Sequence, residues 1–371
     1  MNERTATTPT SEPTIPAPEP ALPPFRSVHT PNFPGLLNEL GISLVVSTYQ
    51  AGRVVLFRAE GDRINTLFRS FSKPMGVAVS PKRLAIGTTT AIWEYYDVPA
   101  VAAKLEPAGK HDACYLPRTI HFTGDVQMHE MAWACDELWF VNTRFSCLCT
   151  RSSTYNFIPW WRPSFISALA PEDRCHLNGL GMVDGKPRYV TALGSTDTPA
   201  GWRDHKKDGG VLIDIDSNEV VMSGLSMPHS PRWHKGELWV LESGNGGIGV
   251  FDRRSGRYRP VAELPGFTRG LDFFGRYAFI GLSQVRETAV FSGIALTERP
   301  AERNCGVWVV DTQTGRTAAF LRFEDAVQEI FAVQVLPGLR FPDLINDDAA
   351  ILANSFILPD ESLAEVAAPF R

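Results

Sequence analysis

Val126–Asn142, with the sequence VQMHEMAWACDELWFVN, decides the fold because it recurs in altered form along the chain. It has the pattern of an apolar strand, a short turn and a second apolar strand. One hundred residues later, Pro228–Glu242 has the sequence PHSPRWHKGELWVLE, and His229 aligns with His129. Weaker copies begin at Pro74, His176 and Phe267. Self-similarity at roughly fifty residues, strand by strand, is typical of a β-propeller.

The repeat predicts an all-β, six-bladed propeller whose first blade is completed by the C-terminal strand. Five inner strands are expected to begin near Met75, His129, His176, His229 and Thr268. The first blade, residues 43–71, lacks an inner strand of its own, and EIFAVQV at Glu329–Val335 supplies one. Closing the ring in this way removes exposed sheet edges.

Three segments of different composition follow from this assignment. Residues 1–25 are rich in Pro and Thr with few large apolar residues, so we expect them to be disordered. Residues 26–345 form the propeller, with one helical segment at 36–40. Residues 346–371 form a C-terminal tail packed on or near the closing blade.

Composition excludes several classes of partner. The chain of 371 residues has a formal net charge of −5 and no basic footprint, which argues against nucleic acid. Its start, MNERTATTPT, has no apolar leader or membrane anchor, so we expect a cytoplasmic protein that does not bind a membrane. Six cysteines do not form a disulfide-rich pattern, and Cys147 and Cys149 are expected to pack within a sheet.

Three long insertions are predicted to share the face of the channel mouth, at 159–175, 194–209 and 283–305. Long loops with aromatic and charged content are typical of functional sites. The candidate substrate-binding residues on these loops and the closing blade are Trp160, Trp161, Arg162, Trp202, Arg203, Arg286 and Glu329.

Three histidines occupy equivalent positions in their repeats, at the start of the inner strand: His129, His176 and His229. Imidazole is the commonest ligand for zinc, iron and copper, and three imidazoles around an open position describe a catalytic metal site. The pattern therefore predicts a divalent transition metal, zinc or iron. The alternative is a polar, hydrogen-bonded channel without metal.

Neighbouring charges are the candidates for the remaining chemistry. Glu130 or His205 is expected to move protons, and Arg232 or Arg269 to hold a carboxylate. For Arg269, pairing with Glu329 or Asp272 inside the channel is the alternative. Asn178-Gly179 is expected to let its strand bulge or pass closely at the axis, rather than bind ligand.

Long motifs carry a resemblance to a known family. PRTIHFTGDVQMHEMAW, LWFVNTRFSCLCT and MPHSPRWHKGELWVLESG are among them, and the resemblance covers nearly all of residues 26–345. The sequence resembles a bacterial conserved-hypothetical family of propeller proteins, sometimes joined to tetratricopeptide repeats, which implies the fold but no settled activity. At the level of the site, the histidines and nearby arginines also look like those of the peptide-amidating lyase propeller.

Two functions from different classes follow. The first is a metal-dependent lyase or hydrolase that acts on a small anionic or peptide-like substrate at the channel mouth. The second is a non-catalytic module that binds a peptide or protein partner through the tryptophans of the loop-rich face. Carbohydrate binding by those tryptophans is a weaker third reading, because no suitably spaced acidic pair can be identified.

Overall fold

The computed structural model describes residues 25–285, 292–299 and 302–367. Within them, the strands form six sheets of four or five strands each, arranged as blades around a central axis. The prediction of an all-β, six-bladed propeller is confirmed. The segment predicted to be disordered lies outside the described residues, apart from Phe25.

The chain enters the ring through a short strand and a helix, β1 (Ser27–His29) and α1 (Phe33–Leu40). Blades 1 to 3 follow in chain order. Their strands are β2 (Ile42–Thr48), β3 (Arg53–Glu60) and β4 (Arg63–Ser70) in blade 1, β5 (Val77–Ser80), β6 (Arg83–Gly87), β7 (Ala91–Asp97) and β8 (Ala113–Phe122) in blade 2, and β9 (Met128–Ala134), β10 (Glu137–Asn142), β11 (Cys147–Thr150) and β12 (Ile158–Trp161) in blade 3.

Blades 4 to 6 repeat this antiparallel order from the axis outward. Their strands are β13 (Leu177–Val183), β14 (Lys186–Ala192), β15 (Gly210–Asp214) and β16 (Glu219–Leu225) in blade 4, β17 (Pro228–His234), β18 (Glu237–Glu242), β19 (Gly247–Asp252) and β20 (Arg257–Glu263) in blade 5, and β21 (Phe267–Phe274), β22 (Tyr277–Ser283), β23 (Cys305–Asp311) and β24 (Thr317–Phe323) in blade 6. The ring ends with β25 (Ala332–Pro337) and β26 (Pro342–Leu344).

The N- and C-terminal segments of the chain join the sheets of the ring at three places. β25 pairs with β2 and becomes the inner strand of blade 1, as the sequence predicts, although it begins at Ala332 rather than Glu329. β1 pairs with β24 at the outside of blade 6, and β26 pairs in parallel with β8 of blade 2. Because segments distant in sequence share these sheets, the blades cannot separate without breaking ladder hydrogen bonds.

The tail packs on blade 2, next to the closing blade. Besides α1, the described residues contain four shorter helices: α2 (Pro99–Ala102), α3 (Ala295–Glu298), α4 (Ala349–Ala353) and α5 (Asp360–Glu365). Ile351 and Leu352 of α4 pack against the apolar cluster that contains Cys114 and Leu116 of β8. Just before the tail, Asp343 of β26 accepts a hydrogen bond from Arg69 of blade 1 at 2.9 Å, which ties β26 to blade 1. None of the helices in the described part of the chain is long and apolar enough to cross a membrane.

Tight hairpin turns connect the strands within a blade, and a β-bulge occurs in the inner strand β13. Lys235-Gly236, with φ of 51° and 82°, connects β17 to β18, and positive φ at both residues is what a tight hairpin turn requires. At the axis, the pairing of β13 with β14 shifts register between Leu177 and Gly179. A side chain at Gly179 would collide with Thr191 and with Pro231 of the next blade. The expected bulge and close approach at Asn178-Gly179 are confirmed.

Candidate functional site at the channel mouth

A cavity of about 360 Å³ opens where the inner strands begin. Every blade contributes to its wall at the axis. In blade order, these residues are Phe331, Met75, His129, His176, His229 and Arg269. The three histidines predicted from the repeat therefore line one cavity.

His129 is held in one orientation by oxygen atoms. Its Nδ1 lies 2.8 Å from the carbonyl oxygen of Gln127 and 2.8 Å from Oγ1 of Thr143. Thr143 donates its own proton to the carbonyl of Leu177 at 2.6 Å. A carbonyl can only accept, so Nδ1 carries the proton and Nε2 keeps its lone pair.

His229 repeats this arrangement in blade 5. Its Nδ1 lies 2.9 Å from the carbonyl oxygen of Met227 and 3.0 Å from Oγ of Ser243. The carbonyl and the hydroxyl stand at the same offsets from the histidine as in blade 3. The backbone of Gln127 and of Met227 is left-handed, with φ of 51° and 47°. The carbonyl and hydroxyl groups that fix the tautomer of the histidine ring are therefore part of the repeat in both blades.

His176 is oriented by a carboxylate instead. Its Nδ1 donates to Asp173, whose two oxygens lie 3.0 and 2.9 Å away. Asp173 also accepts a hydrogen bond from Nε1 of Trp202 at 3.0 Å, and the Trp202 ring packs on His176 with 4.4 Å between ring centroids. Trp202 is 2% exposed, so it serves as part of the cavity wall rather than as an exposed surface residue.

Electrostatics keep two of the rings uncharged. Burial lowers the pKa of His129 well below its ordinary value, and the neighbouring His176 lowers this pKa further. Burial followed by the charge of Arg269 does the same to the pKa of His229. Neutral imidazole is the form that binds metal or accepts a proton.

The spacing of the rings bears directly on metal binding. His129 and His176 are in edge-to-face contact, with 4.7 Å between ring centroids. In the described part of the chain, no group of three or more His, Cys, Asp and Glu side chains is arranged so that it could hold a metal ion. Two of the three imidazoles are thus adjacent, and His229 lies on the wall of the same cavity.

Arg269 provides the positive charge at the axis. Its guanidinium lies over the Phe331 ring, 3.6 Å from the centroid. Burial lowers the pKa of Arg269 to about 10, opposed by the charge of Glu329. Neither Glu329 nor Asp272 forms an ion pair with it among the described residues, although Glu329 lines the same cavity. The guanidinium is therefore available to a ligand.

Glu130 and Arg232 are engaged with each other rather than with the cavity. Arg232 forms an ion pair with one carboxylate oxygen of Glu130, whose second oxygen accepts from the backbone of Leu180 at 2.9 Å. Arg232 also donates to three backbone carbonyls. Neither residue lines the channel-mouth cavity, so the expectation that Arg232 is free to hold a substrate carboxylate is wrong. The pair crosses the channel between blades 3 and 5.

The other predicted residues are dispersed. Trp160 and Trp161 belong to β12, the outer strand of blade 3, so the prediction of a channel-mouth loop beginning at 159 is wrong. Arg162 follows that strand, and none of the three lines the cavity. His205 is exposed at the end of the 3₁₀ turn Gly201–His205 and does not line the cavity, whereas Arg203 of that turn does. Arg286 lies outside the described residues.

Several residues of the site were missed from the sequence. Tyr49, Lys73, Asp125 and Asp173 line the cavity from connecting segments. Asp173 belongs to the insertion at 159–175 that was predicted at the channel mouth, but it was not singled out. Thr143 and Ser243 orient the histidines, and here a signal existed. Both follow the second strand of their blade, 14 residues after the histidine.

Comparison with known proteins places this site in an uncharacterised family. The model of the family described as "Domain of unknown function (DUF4915)" matches residues 31–345. No curated protein matches the chain. This confirms the expected membership of a propeller family without a settled activity; the fusion to tetratricopeptide repeats and the likeness to the amidating lyase stay predictions.

Solved structures show the fold alone. A chain of a nidogen/laminin complex has a TM-score of 0.52 at 8% identity, with 80% of this chain and 99% of that chain covered. A protein of unknown function from Bacteroides caccae has a TM-score of 0.50 at 9% identity, with 80% and 98% covered. Since propellers serve both as binding modules and as enzymes, these likenesses do not choose between the two. By the family match over residues 31–345, the chain belongs to the DUF4915 family.

Proposed function

We propose that the channel mouth is the active site of a metal-dependent lyase or hydrolase that acts on a small anionic or peptide-like substrate. One observation carries this proposal: His129, His176 and His229 each donate Nδ1–H to an oxygen and have no hydrogen bond at Nε2 within the described residues. Histidines that bind metal use one ring nitrogen and almost always donate the other N–H to a carboxylate or carbonyl.

Zinc or iron suits a set of three imidazole ligands, and a bound metal would polarise a substrate oxygen or activate water. The side chains around it have separable roles. Arg269 holds an anionic group of the substrate, while Phe331 and Trp202 exclude water from the wall. Arg203 and Lys73 provide further positive groups on the cavity wall that an anionic substrate could contact.

The proposal has a structural requirement. Because the three rings are not arranged as a closed metal site in the described part of the chain, their relative positions have to change when metal binds. A shift of this kind is measurable as a change in ring resonances on metal addition.

Calorimetric titration of zinc into metal-stripped protein tests the proposal. We expect one site per chain in the wild type and at least a tenfold loss of affinity in His176→Ala. His234→Gln is the matched control, because His234 lies at the far end of β17, the strand that begins beside His229. Absence of zinc binding in the folded wild type would contradict the proposed metal site.

A binding module is the second candidate, and a different surface favours it. Phe122, Tyr155 and Trp160 are 66%, 67% and 63% exposed on blades 2 and 3, away from the channel mouth. Exposed aromatic side chains are common anchors of protein interfaces. If a partner binds here, Phe122→Ser and Trp160→Ser abolish its binding while His129→Ala does not.

A further inference from the structure

A second, much smaller cavity lies against the first. Its volume is about 10 Å³, and it shares His129, His229, Arg269 and Phe331 with the channel mouth. On its other side are Asn178 and the Glu130–Arg232 pair. A space of this size accommodates a single water-sized atom. The channel mouth thus continues inward to a compartment for one atom.

Two buried donors line this compartment without partners. Nε of Arg269 and Nδ2 of Asn178 are both buried and have no hydrogen bond to another described residue. Asn178 is 2% exposed, and its amide oxygen already accepts from Thr191 at 2.7 Å. Buried donors without acceptors are rare in folded proteins, because the lost hydration is not replaced. Both groups can only donate, so the missing partner is an acceptor.

The bulge in β13 explains why Asn178 is there. The register shift between Leu177 and Gly179 interrupts the regular alternation of the strand, and bulges of this kind redirect a side chain. Gly179 then permits the close contact with blade 5. A sequence that needed only a tight passage at the axis has no requirement for a buried amide at 178.

The charges around the compartment favour an anion. Arg269 is positive, and the charge of Glu130 is matched by Arg232. His129 and His229 donate their N–H groups to the protein and add no negative charge. The net charge of these groups is therefore positive, and water is a weaker partner than an anionic oxygen for a guanidinium N–H.

We infer that the small cavity is a carboxylate subsite, in which one oxygen of the substrate's carboxylate accepts hydrogen bonds from Nε of Arg269 and Nδ2 of Asn178. The inference deepens the proposed function and rests on it only for the existence of a substrate. It also fixes the direction of binding: the carboxylate enters first, and the carbon atoms next to it lie beside His129 and His229, which line both cavities. The substrate class is then short carboxylic acids, including the C-terminal carboxylate of a peptide, that react close to the carboxylate.

Formate is the smallest probe of this subsite, and it needs no metal. Binding of ¹³C-formate to metal-stripped, full-length protein is followed by line broadening, with sulfate as the control for ionic strength. We expect saturable formate binding in the wild type and at least a tenfold weaker affinity in Arg269→Gln. Asn178→Asp keeps the shape of the side chain and the acceptor for Thr191 but replaces the donor with an anionic oxygen, and we expect it to abolish binding.

Controls separate this inference from the proposed function. Arg259→Gln, at an exposed ion pair with Glu237 on blade 5, should bind formate as the wild type does. Formate binding without zinc binding would support the carboxylate subsite and contradict the proposed metal site. Zinc binding without formate binding would support the metal site and contradict the subsite. If the folded wild type shows no saturable formate binding, or if Asn178→Asp binds formate as well as the wild type does, the inference is overturned.

Discussion

The ring of His129 stands edge-on against the ring of His176, with 4.7 Å between their centroids, although the two residues lie on neighbouring blades. Burial lowers the pKa of His129 and keeps this ring uncharged, so two like charges do not meet at this distance. Their N–H groups point to oxygens of the protein, and this leaves the opposite ring nitrogens for chemistry.

Stability should fall in mild acid. The pKa values of His129 and His229 are lowered in the folded protein, so the unfolded chain binds more protons once the pH drops below the ordinary histidine pKa of about 6.5. We expect the free energy of unfolding to be constant above about pH 7 and to decrease below pH 6.5, by up to about 1.4 kcal/mol per pH unit for each histidine. Urea unfolding of metal-free protein measures this.

His229→Asn should make that dependence shallower, because asparagine can donate to Met227 but does not titrate. His205→Asn makes the same substitution at an exposed histidine outside the cavity and serves as its control. If the free energy of unfolding of His229→Asn depends on pH as steeply as that of the wild type, His229 does not cause the loss of stability in acid.

Glu130→Gln should be strongly destabilising. It leaves the guanidinium of Arg232 without its counter-charge inside the channel, and breaking a buried pair in this way costs about 3–5 kcal/mol. The exposed pair Arg259–Glu237 is the comparison, where Glu237→Gln should cost less than about 1 kcal/mol. Equal midpoints of urea unfolding for the two variants would contradict a structural role for Glu130.

Thr143→Val should weaken the site without removing a ligand. Valine has the shape of threonine but cannot accept from His129 or donate to Leu177. We expect metal affinity to fall by about 10- to 100-fold, as is usual when a partner of a metal-binding histidine is lost. Zinc titration of Thr143→Val beside Thr154→Val, an exposed threonine on blade 3, makes the test. Equal affinities would mean that the orientation of His129 does not matter.

The tryptophans should divide into two classes. Trp202 is buried between Asp173 and His176, so Trp202→Ala should cost about 3–5 kcal/mol of stability and disturb the cavity. Trp160 is 63% exposed on an outer strand, and Trp160→Ala should cost about 1 kcal/mol or less. Denaturant unfolding separates them, and comparable losses would contradict the placement of either residue.

The fold could be predicted from sequence because the repeat is explicit. His129 and His229 occupy the same position in copies one hundred residues apart, and each copy contains paired apolar strands. Closure of the ring could be predicted because blade 1 lacks an inner strand of its own, and β25 supplies that strand. The meeting of three histidines in one cavity followed from the same logic, because equivalent positions in a propeller surround one axis.

The details of the site depended on contacts that the repeat does not encode. Glu130 is next to His129 in sequence, but successive side chains of a strand point in opposite directions, so Glu130 turns away toward Arg232. Asp173 and Lys73 come from connecting loops, whose lengths and paths vary from blade to blade. Trp160 and Trp161 were misplaced because Pro159 interrupts a β12 pattern only four residues long.

Elemental analysis of the untagged protein, purified without chelator, tests the central claim most directly. If His129, His176 and His229 form a metal centre, the protein carries close to one zinc or iron per chain, His129→Ala loses it with the fold intact, and His234→Gln keeps it. A wild-type protein that is folded, free of transition metal and unable to take up zinc or iron would contradict the claim.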